Sequence, residues 1–212
     1  MTKIVGMAFS YSADSMQYRG LTLLSDIIPF YKIYTLSDFD IPLMKTNKPN
    51  GTSLESVKKF ITAMAEADAL VFGISEMIAQ PCASFKNAME WLVVDINGDT
   101  DMKKSYCISH KPMVTTTFTP GPHPGARHWD ATNQLLFQLN CNVKKNYVFR
   151  NAWTNLLPGN VDYVKAEATE MLPILNEPYI DNGILVHHRV RTMGAWLSSY
   201  DIWNDVWNTL KK

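Results

Sequence analysis

The sequence predicts an α/β protein built on a doubly wound, five-stranded parallel sheet with helices on both faces. Short apolar runs of strand length alternate along the chain with segments in which apolar residues recur at helical spacing. The clearest case is the run Ala69–Ile74, which ends at a polar loop and is followed by helical spacing from Phe85 to Val93. This alternation is typical of βαβ units, which assemble into a parallel sheet.

The first half of the chain contains two further strand patterns and two further helix patterns. Lys3–Met7 is predicted to be the first strand, and a helix begins at or near Ser15. Phe30–Leu36 is predicted to be the second strand. Thr52 and Glu55 have the spacing of a capping box, so we expect the second helix to begin there.

The second half of the chain supplies the last two βα units. Their predicted elements are, in order, Pro112–Phe118, Trp129–Leu139, Val143–Phe149 and Val161–Leu175. Five such units fit the flavodoxin-like strand order of doubly wound folds. No linker rich in Pro, Gly or Ser divides the chain, so we expect one domain over residues 1–176 and a C-terminal extension over residues 177–212.

The extension has a strand pattern at Gly183–Val190 and a closing helix at Ala195–Lys212. An aromatic stripe at spacings of three and four lies along this helix: Trp196, Tyr200, Trp203, Trp207 and Leu210. Such a stripe predicts packing on the domain or on a second subunit. A role at a membrane surface or in binding a partner peptide is the alternative.

Composition narrows the class of protein. Twenty basic and twenty acidic residues leave no net charge to attract nucleic acid or an acidic membrane. Three cysteines, Cys82, Cys107 and Cys141, are an odd number without CxxC spacing, which argues against a disulfide framework and a zinc site. The N-terminus lacks a signal-peptide pattern, and no apolar run approaches the roughly 20 residues of a membrane span. We therefore expect a soluble, cytoplasmic protein.

Polar loops follow three of the predicted strands. The loop after the first strand offers the hydroxyls of Ser10, Ser12 and Ser15, the N–H groups at the start of a helix, and the amide of Gln17. A phosphate group binds such donors, although serines at this position also serve simply as helix caps and turn residues. The other two loops cover residues 75–79 and 117–127. Because the carboxyl ends of parallel strands meet at one edge of the sheet, we expect all three loops to form a ligand site there.

Other chemistry has weaker support in the sequence. His123 and Arg127 have the chemistry of a proton donor and of a clamp for an anionic substrate, but a histidine in a loop rich in Pro and Gly is more often a solvated turn residue. No spacing of histidines with cysteines or carboxylates suggests a metal site, and no GxSxG, Walker-type or GxGxxG motif occurs.

The loop after the third strand and its helix, SEMIAQPCASFKNAMEW, resemble a segment of the NADPH-dependent FMN reductases, the family that includes chromate and quinone reductases. The family segment reads PEYNGSxPGxLKNALDW, and the matching residues are Glu76, Lys86, Asn87, Ala88 and Trp91. Ser75, Met77, Ile78 and Ala79 stand where the family carries Pro, Tyr, Asn and Gly.

The other two loops are similar to motifs of the same family. Ser10 and Ser15 match the motif SGSLRxxSxN, while Phe9 and Ser12 replace its glycine and arginine. The third loop resembles TSSMGxxGGAR, and the matching residues are Thr117, Gly121, Gly125, Ala126 and Arg127. The resemblance covers roughly residues 3 to 175.

The resemblance implies an enzyme that binds FMN, takes hydride from NADPH or NADH, and reduces a small acceptor such as a quinone, free flavin, an azo compound or a metal oxyanion. It implies that the phosphate end of FMN lies on Ser10, Ser12, Ser15, Met16 and Gln17. It implies that the flavin ring is bordered by Ser75, Glu76, Met77, Ile78, Ala79, Thr117, Phe118, Thr119 and Gly121. No side chain needs to act as a nucleophile, because the flavin carries the redox chemistry.

The resemblance also implies a homodimer, with a tetramer as the alternative, and places the helix of Lys86 and Trp91 near the subunit contact. Two other functional classes stay open. A flavodoxin-type electron carrier shares the fold and the cofactor, although its acidic surface does not fit a net charge of zero. A binding protein that has lost its flavin would also show a missing arginine and an altered second loop.

Overall fold

A five-stranded parallel sheet forms the core of the described residues, as the sequence predicts. The computed structural model describes residues 2–44, 51–93, 107–122, 125–156 and 162–177, and the predicted elements after residue 177 lie outside this part. The sheet strands are β1 (Ile4–Ala8), β2 (Phe30–Thr35), β3 (Ala69–Gly73), β6 (Pro112–Phe118) and β7 (Asn142–Phe149). Their order is β2-β1-β3-β6-β7, which is the flavodoxin-like order.

The helices connect the strands and cover both faces of the sheet. They are α1 (Met16–Leu24), α2 (Gly51–Ala65), α3 (Ala83–Val93), α4 (Trp129–Gln138), α5 (Ala152–Asn155) and α6 (Asp162–Leu175). On one face, Met7 of β1 shares a buried cluster with residues of α2, α3 and α4. On the other face, Ile4 and Ala8 share a second cluster with residues of α1 and α6. All five residues of β1 are buried, which is typical of a parallel strand between two helical layers.

The predicted bounds agree closely with the structure, and the departures have local causes. Leu36 does not extend β2 but begins a 3₁₀ turn, because the Asp38 carboxylate accepts the Thr35 N–H at 2.7 Å. The α2 helix begins at Gly51, so Thr52 lies inside it instead of preceding it. The sequence did not predict α5 or the short hairpin of β4 (Glu76–Met77) and β5 (Gln80–Pro81).

Trp91 of α3 packs against its own chain. Its side chain is 2% exposed, and its indole N–H donates to the Pro42 carbonyl at 2.7 Å. Asn87 contacts the same segment, since its amide donates to Pro42 and accepts the Met44 N–H. Trp91 is therefore held by its own chain, and the position of α3 near a subunit contact stays a prediction. Among the described helices, none is long and apolar enough to cross a membrane.

The packing of α1 on β6 depends on a glycine. A Cβ atom at Gly20 would lie 2.3 Å from Cζ of Phe118. The Phe118 ring has little room to retreat, because it stacks on Phe149 with centroids 4.4 Å apart.

We predict that Gly20→Ala lowers the free energy of unfolding by about 1–3 kcal/mol, because the added methyl group overpacks this contact. This loss would occur although alanine favours a helix by about 1 kcal/mol over glycine. Chemical denaturation of the variant measures the change. Thr22→Ala, on the exposed face of the same helix, is the control, and it should change stability little. Equal stability of Gly20→Ala and the native protein would contradict the packing described here.

Candidate functional site

The first loop supplies hydrogen-bond donors to the carboxyl edge of the sheet. Ser10 Oγ accepts the Ser12 N–H at 3.1 Å, Ser12 Oγ accepts the Asp14 N–H at 3.3 Å, and Ser15 Oγ caps α1 by accepting the Tyr18 N–H at 3.2 Å. Each hydroxyl therefore keeps its own hydrogen to donate. The serines are thus turn and cap residues, and they remain able to donate to a ligand.

The start of α1 adds main-chain donors to these hydroxyls. Within the part of the chain that the structure describes, the N–H groups of Met16 and Gln17 have no acceptor. Such unpaired groups carry the positive end of the helix dipole and bind anions readily. The loop can therefore offer three hydroxyls and two N–H groups to a phosphate.

Phe9 stands where the related family has a glycine, and it leaves the loop unobstructed. Its ring is 1% exposed and contacts Phe72 and Phe85 edge-on, with centroids 4.8 and 4.9 Å away. The φ angle of Phe9 is not positive. The position therefore has no conformational need for glycine, and the ring fills the core beneath the loop. Ser12, in place of the arginine, leaves no cation at its position.

The Gln17 side chain has a structural task that the sequence did not reveal. Its amide donates to the Phe118 carbonyl at 2.9 Å and accepts the Phe118 N–H at 3.1 Å. The residue is 3% exposed. Because β3 ends at Gly73, these two groups of β6 extend beyond their neighbouring strand, and Gln17 takes its place. We therefore exclude the Gln17 amide from the phosphate donors and keep only its main-chain N–H.

The second loop is a tight hairpin with an unusual turn. Glu76 pairs with Pro81 and Met77 with Gln80, so Ile78 and Ala79 form the turn. Their φ angles are +47° and +62°, as a type I′ turn requires. Such turns favour Asn-Gly, the pair that the related family carries here, whereas a β-branched residue at positive φ is an outlier. Backbone strain of this kind costs on the order of 1–3 kcal/mol per residue.

Two apolar side chains of this hairpin face solvent. Met77 is 60% exposed and Ile78 is 94% exposed. Ser75 fixes the base of the loop through its carbonyl, which accepts the Cys82 N–H at 3.0 Å. The hairpin therefore presents a strained, apolar tip at the same sheet edge as the serine loop.

Glu76 joins the second loop to the third. Its Oε2 accepts the Arg127 N–H at 3.1 Å, and its Oε1 accepts Arg127 Nε at 2.9 Å and Nη2 at 2.6 Å. The Glu76 side chain is 8% exposed, whereas that of Arg127 is 63% exposed. Arg127 is therefore already paired with a carboxylate. His123, the other candidate of this loop, lies outside the described residues.

The side chains of the third loop are mostly occupied within the protein, so this loop can offer main-chain groups more than side chains. Thr117 is buried, and the Phe118 ring packs between α1 and β7. Thr119 donates its hydroxyl to the Gly121 carbonyl at 3.1 Å. Gly125 has a φ of +57°, and a Cβ there would lie 2.1 Å from Thr119 Cγ2, so only glycine fits.

His128 is the residue of this region that the sequence did not single out. It is fully buried, and its two ring nitrogens lie 2.9 Å from Thr117 Oγ1 and 2.8 Å from Thr132 Oγ1. The network links β6 to α4 directly behind the third loop. Burial lowers the pKa of His128, an effect that the Glu76 carboxylate partly opposes. A histidine at the N-cap of α4 and a threonine four residues later were the only local signal.

Comparison with known proteins identifies the family. A model of the NADPH-dependent FMN reductases matches residues 2–154. The chain belongs to this family. No curated protein matches the sequence.

Three solved structures illustrate the similarity of fold. The flavoenzyme NAD(P)H:(acceptor) oxidoreductase FerB from Paracoccus denitrificans has a TM-score of 0.65 at 14% identity, over 84% of this chain and 99% of that one. A putative quinone reductase from Klebsiella pneumoniae has a TM-score of 0.54 at 12% identity, over 84% and 86%. An azoreductase from Bacillus anthracis has a TM-score of 0.52 at 13% identity, over 84% and 100%. At these identities the likeness shows the flavodoxin-like fold.

Membership in this family supports a coarse function for the chain as a whole. The NADPH-dependent FMN reductases are NAD(P)H-dependent flavin oxidoreductases, and their cofactor is FMN. In doubly wound sheets of this order, FMN lies at the switch point between the first and third strands. The first and second loops of this family member follow β1 and β3.

We predict that acidification destabilises the protein through His128. The folded pKa lies below the ordinary value of 6.5, so the unfolded chain takes up a proton that the folded chain does not. Well above pH 6.5 His128 is neutral in both the folded and the unfolded chain, so its titration does not affect stability there. As the pH falls from 6.5 toward the folded pKa, the unfolded chain is protonated first and the free energy of unfolding falls. Denaturation of the native protein and of His128→Gln across this range measures the slope. The variant is expected to be less stable overall but to lose less stability on acidification, and parallel curves would contradict the assignment.

Proposed function

We propose that the protein is an FMN-dependent NAD(P)H oxidoreductase that reduces small acceptors such as quinones, free flavins or azo compounds. The observation that carries the proposal is the set of donors at the start of α1. Three serine hydroxyls and two unpaired main-chain N–H groups lie at the switch point of the sheet, where the family binds the phosphate of FMN.

The residues present fit this cofactor. Ser10, Ser12 and Ser15 would donate to the phosphate together with the N–H groups of Met16 and Gln17. The ring would lie against the main chain of residues 75–79 and the segment 117–121. When bound, FMN supplies hydride transfer between NAD(P)H and the acceptor. The protein contributes placement and shielding, and no side chain is assigned as a nucleophile or acid.

The strained turn favours a retained flavin site over a site that has lost its flavin. Ile78 and Ala79 lack the intrinsic preference of Asn-Gly for positive φ, yet they keep the geometry of that turn. Strain of this kind concentrates at functional sites. A binding protein without flavin is therefore the second candidate, and the missing arginine at Ser12 is the observation in its favour.

A spectroscopic titration tests the proposal. The purified protein is mixed with excess FMN and desalted, and its visible absorption is recorded before and after anaerobic addition of NADPH or, in parallel, NADH. We expect retained flavin that the nicotinamide cofactor bleaches. Flavin that neither donor bleaches would favour an electron carrier. Absence of FMN affinity would favour the binding protein.

We predict that Ser12→Arg tightens FMN binding by about tenfold, because a charge-assisted contact to the phosphate replaces a neutral one. Fluorescence titration of the apoprotein measures the dissociation constant. Thr22→Arg adds the same charge on the exposed face of α1 and should leave the constant unchanged. Equal effects of the two variants would place the phosphate elsewhere.

We propose in addition that the protein is a cytoplasmic homodimer or tetramer and that residues 1–176 form the flavin domain. The family resemblance supports the assembly and the domain bounds, the cysteine pattern and the sequence of the N-terminus support the compartment, and analytical ultracentrifugation tests the assembly. If α3 lies at the contact, it contributes Lys86 and not Trp91, since Lys86 is exposed and pairs with Glu90.

A further inference from the structure

Glu76 and Arg127 make a contact of several hydrogen bonds between the second and the third loop. Three donors from one arginine converge on a single carboxylate that is 8% exposed. The guanidinium Nε and Nη2 both donate to Oε1, and the Arg127 main-chain N–H donates to Oε2, so both oxygens of the carboxylate are held. This contact fixes the first residue of β4 to the third loop.

The hairpin beside this contact depends on its surroundings for its conformation. It has two residue pairs, and two-stranded hairpins are marginal in isolation. Its turn residues, Ile78 and Ala79, both occupy the left-handed region without the propensity for it. Strained backbone of this kind persists only where the surroundings over-determine it. Among the described residues, the ladder pairs, the contact of Ser75 with Cys82, the packing of α4 on β5 and the Glu76–Arg127 pair all restrain it, and only the last of these ties Glu76 to the third loop.

We infer that Glu76 and Arg127 are positioning residues that hold the strained Ile78–Ala79 turn in place at the ring edge of the flavin site. The flavin part of this inference rests on the proposed function, whereas the restraint of the turn does not. Loss of the pair would let the turn relax toward ordinary φ angles. The main chain that borders the ring would then move away from it.

Arg127 therefore acts within the protein and is not an anchor for an anionic substrate. Its guanidinium already faces a carboxylate, so an incoming anion would meet a neutralised pair. Lysine cannot replace it, because an ammonium group lacks the planar set of donors that Nε and Nη2 provide. Both Glu76→Gln and Arg127→Lys should thus loosen the same turn.

A double-mutant cycle tests the coupling between the pair and the turn. One change is Glu76→Gln, and the other is the double substitution Ile78→Asn with Ala79→Gly, which makes positive φ intrinsically favourable. The FMN dissociation constant is measured for all four proteins by fluorescence. We expect Glu76→Gln alone to weaken binding by about tenfold, and to weaken it by less than about threefold when the turn is Asn-Gly. Equal effects of Glu76→Gln in both backgrounds would overturn the inference.

The apoprotein gives a second readout that needs no flavin. Amide hydrogen exchange at Met77 and Gln80, which pair across the turn, should accelerate in Glu76→Gln and return toward the native rate in the Asn-Gly background. If the native protein binds no FMN but shows this coupling, the proposed function fails and the restraint of the turn stands. Unchanged exchange in Glu76→Gln would overturn the restraint itself.

Two controls separate this effect from a general loss of charge or stability. Glu90→Gln removes a carboxylate from an exposed ion pair with Lys86 and should change neither readout. If Glu76→Gln does not fold, Arg127→Lys provides the same test, because lysine keeps the positive charge but lacks the Nε and Nη2 donors of the guanidinium. A normal FMN constant and normal exchange in Arg127→Lys would also overturn the inference.

Discussion

Two hydrogen bonds between the buried Gln17 amide and the main chain of Phe118 join the start of α1 to the end of β6 at the carboxyl edge of the sheet. They replace the hydrogen bonds that β3 can no longer make beyond its last residue, so β6 extends past β3 without unpaired main-chain groups at Phe118. They also fix the start of α1 against β6. The position of the serine loop therefore depends on a contact between residues 101 positions apart in the chain.

Close packing supports this junction on either side. Gly20 lets α1 approach the Phe118 ring, and a Cβ at Gly73 would lie 3.3 Å from Gln17 Cβ. Two glycines thus make room for one glutamine and one phenylalanine. Because the helix start is held so tightly, its two unpaired N–H groups have a defined direction, which a phosphate site requires.

The fold could be predicted from the sequence, but much of the site could not. Buried strands such as β3 and β6 are continuous apolar or threonine-rich runs, and Ser15 is a helix cap that its residue type already favours. The role of Gln17 depends on a distant partner, so no local pattern reveals it. The turn at Ile78 and Ala79 contradicts local propensity, and only its neighbours in space explain it. Sequence patterns report local preference, and the site departs from that preference in both places.

The charges around the site follow from the same contacts. The first loop offers neutral donors and the helix dipole, since Ser12 replaces an arginine. The arginine of the third loop is neutralised by Glu76. The protein would therefore hold a phosphate by geometry more than by charge, so precise placement of donors matters more here than in a relative that has the arginine. Rigidity at Gln17 and restraint at Glu76 then serve one purpose. Each fixes main-chain groups that a more strongly charged site could afford to leave looser.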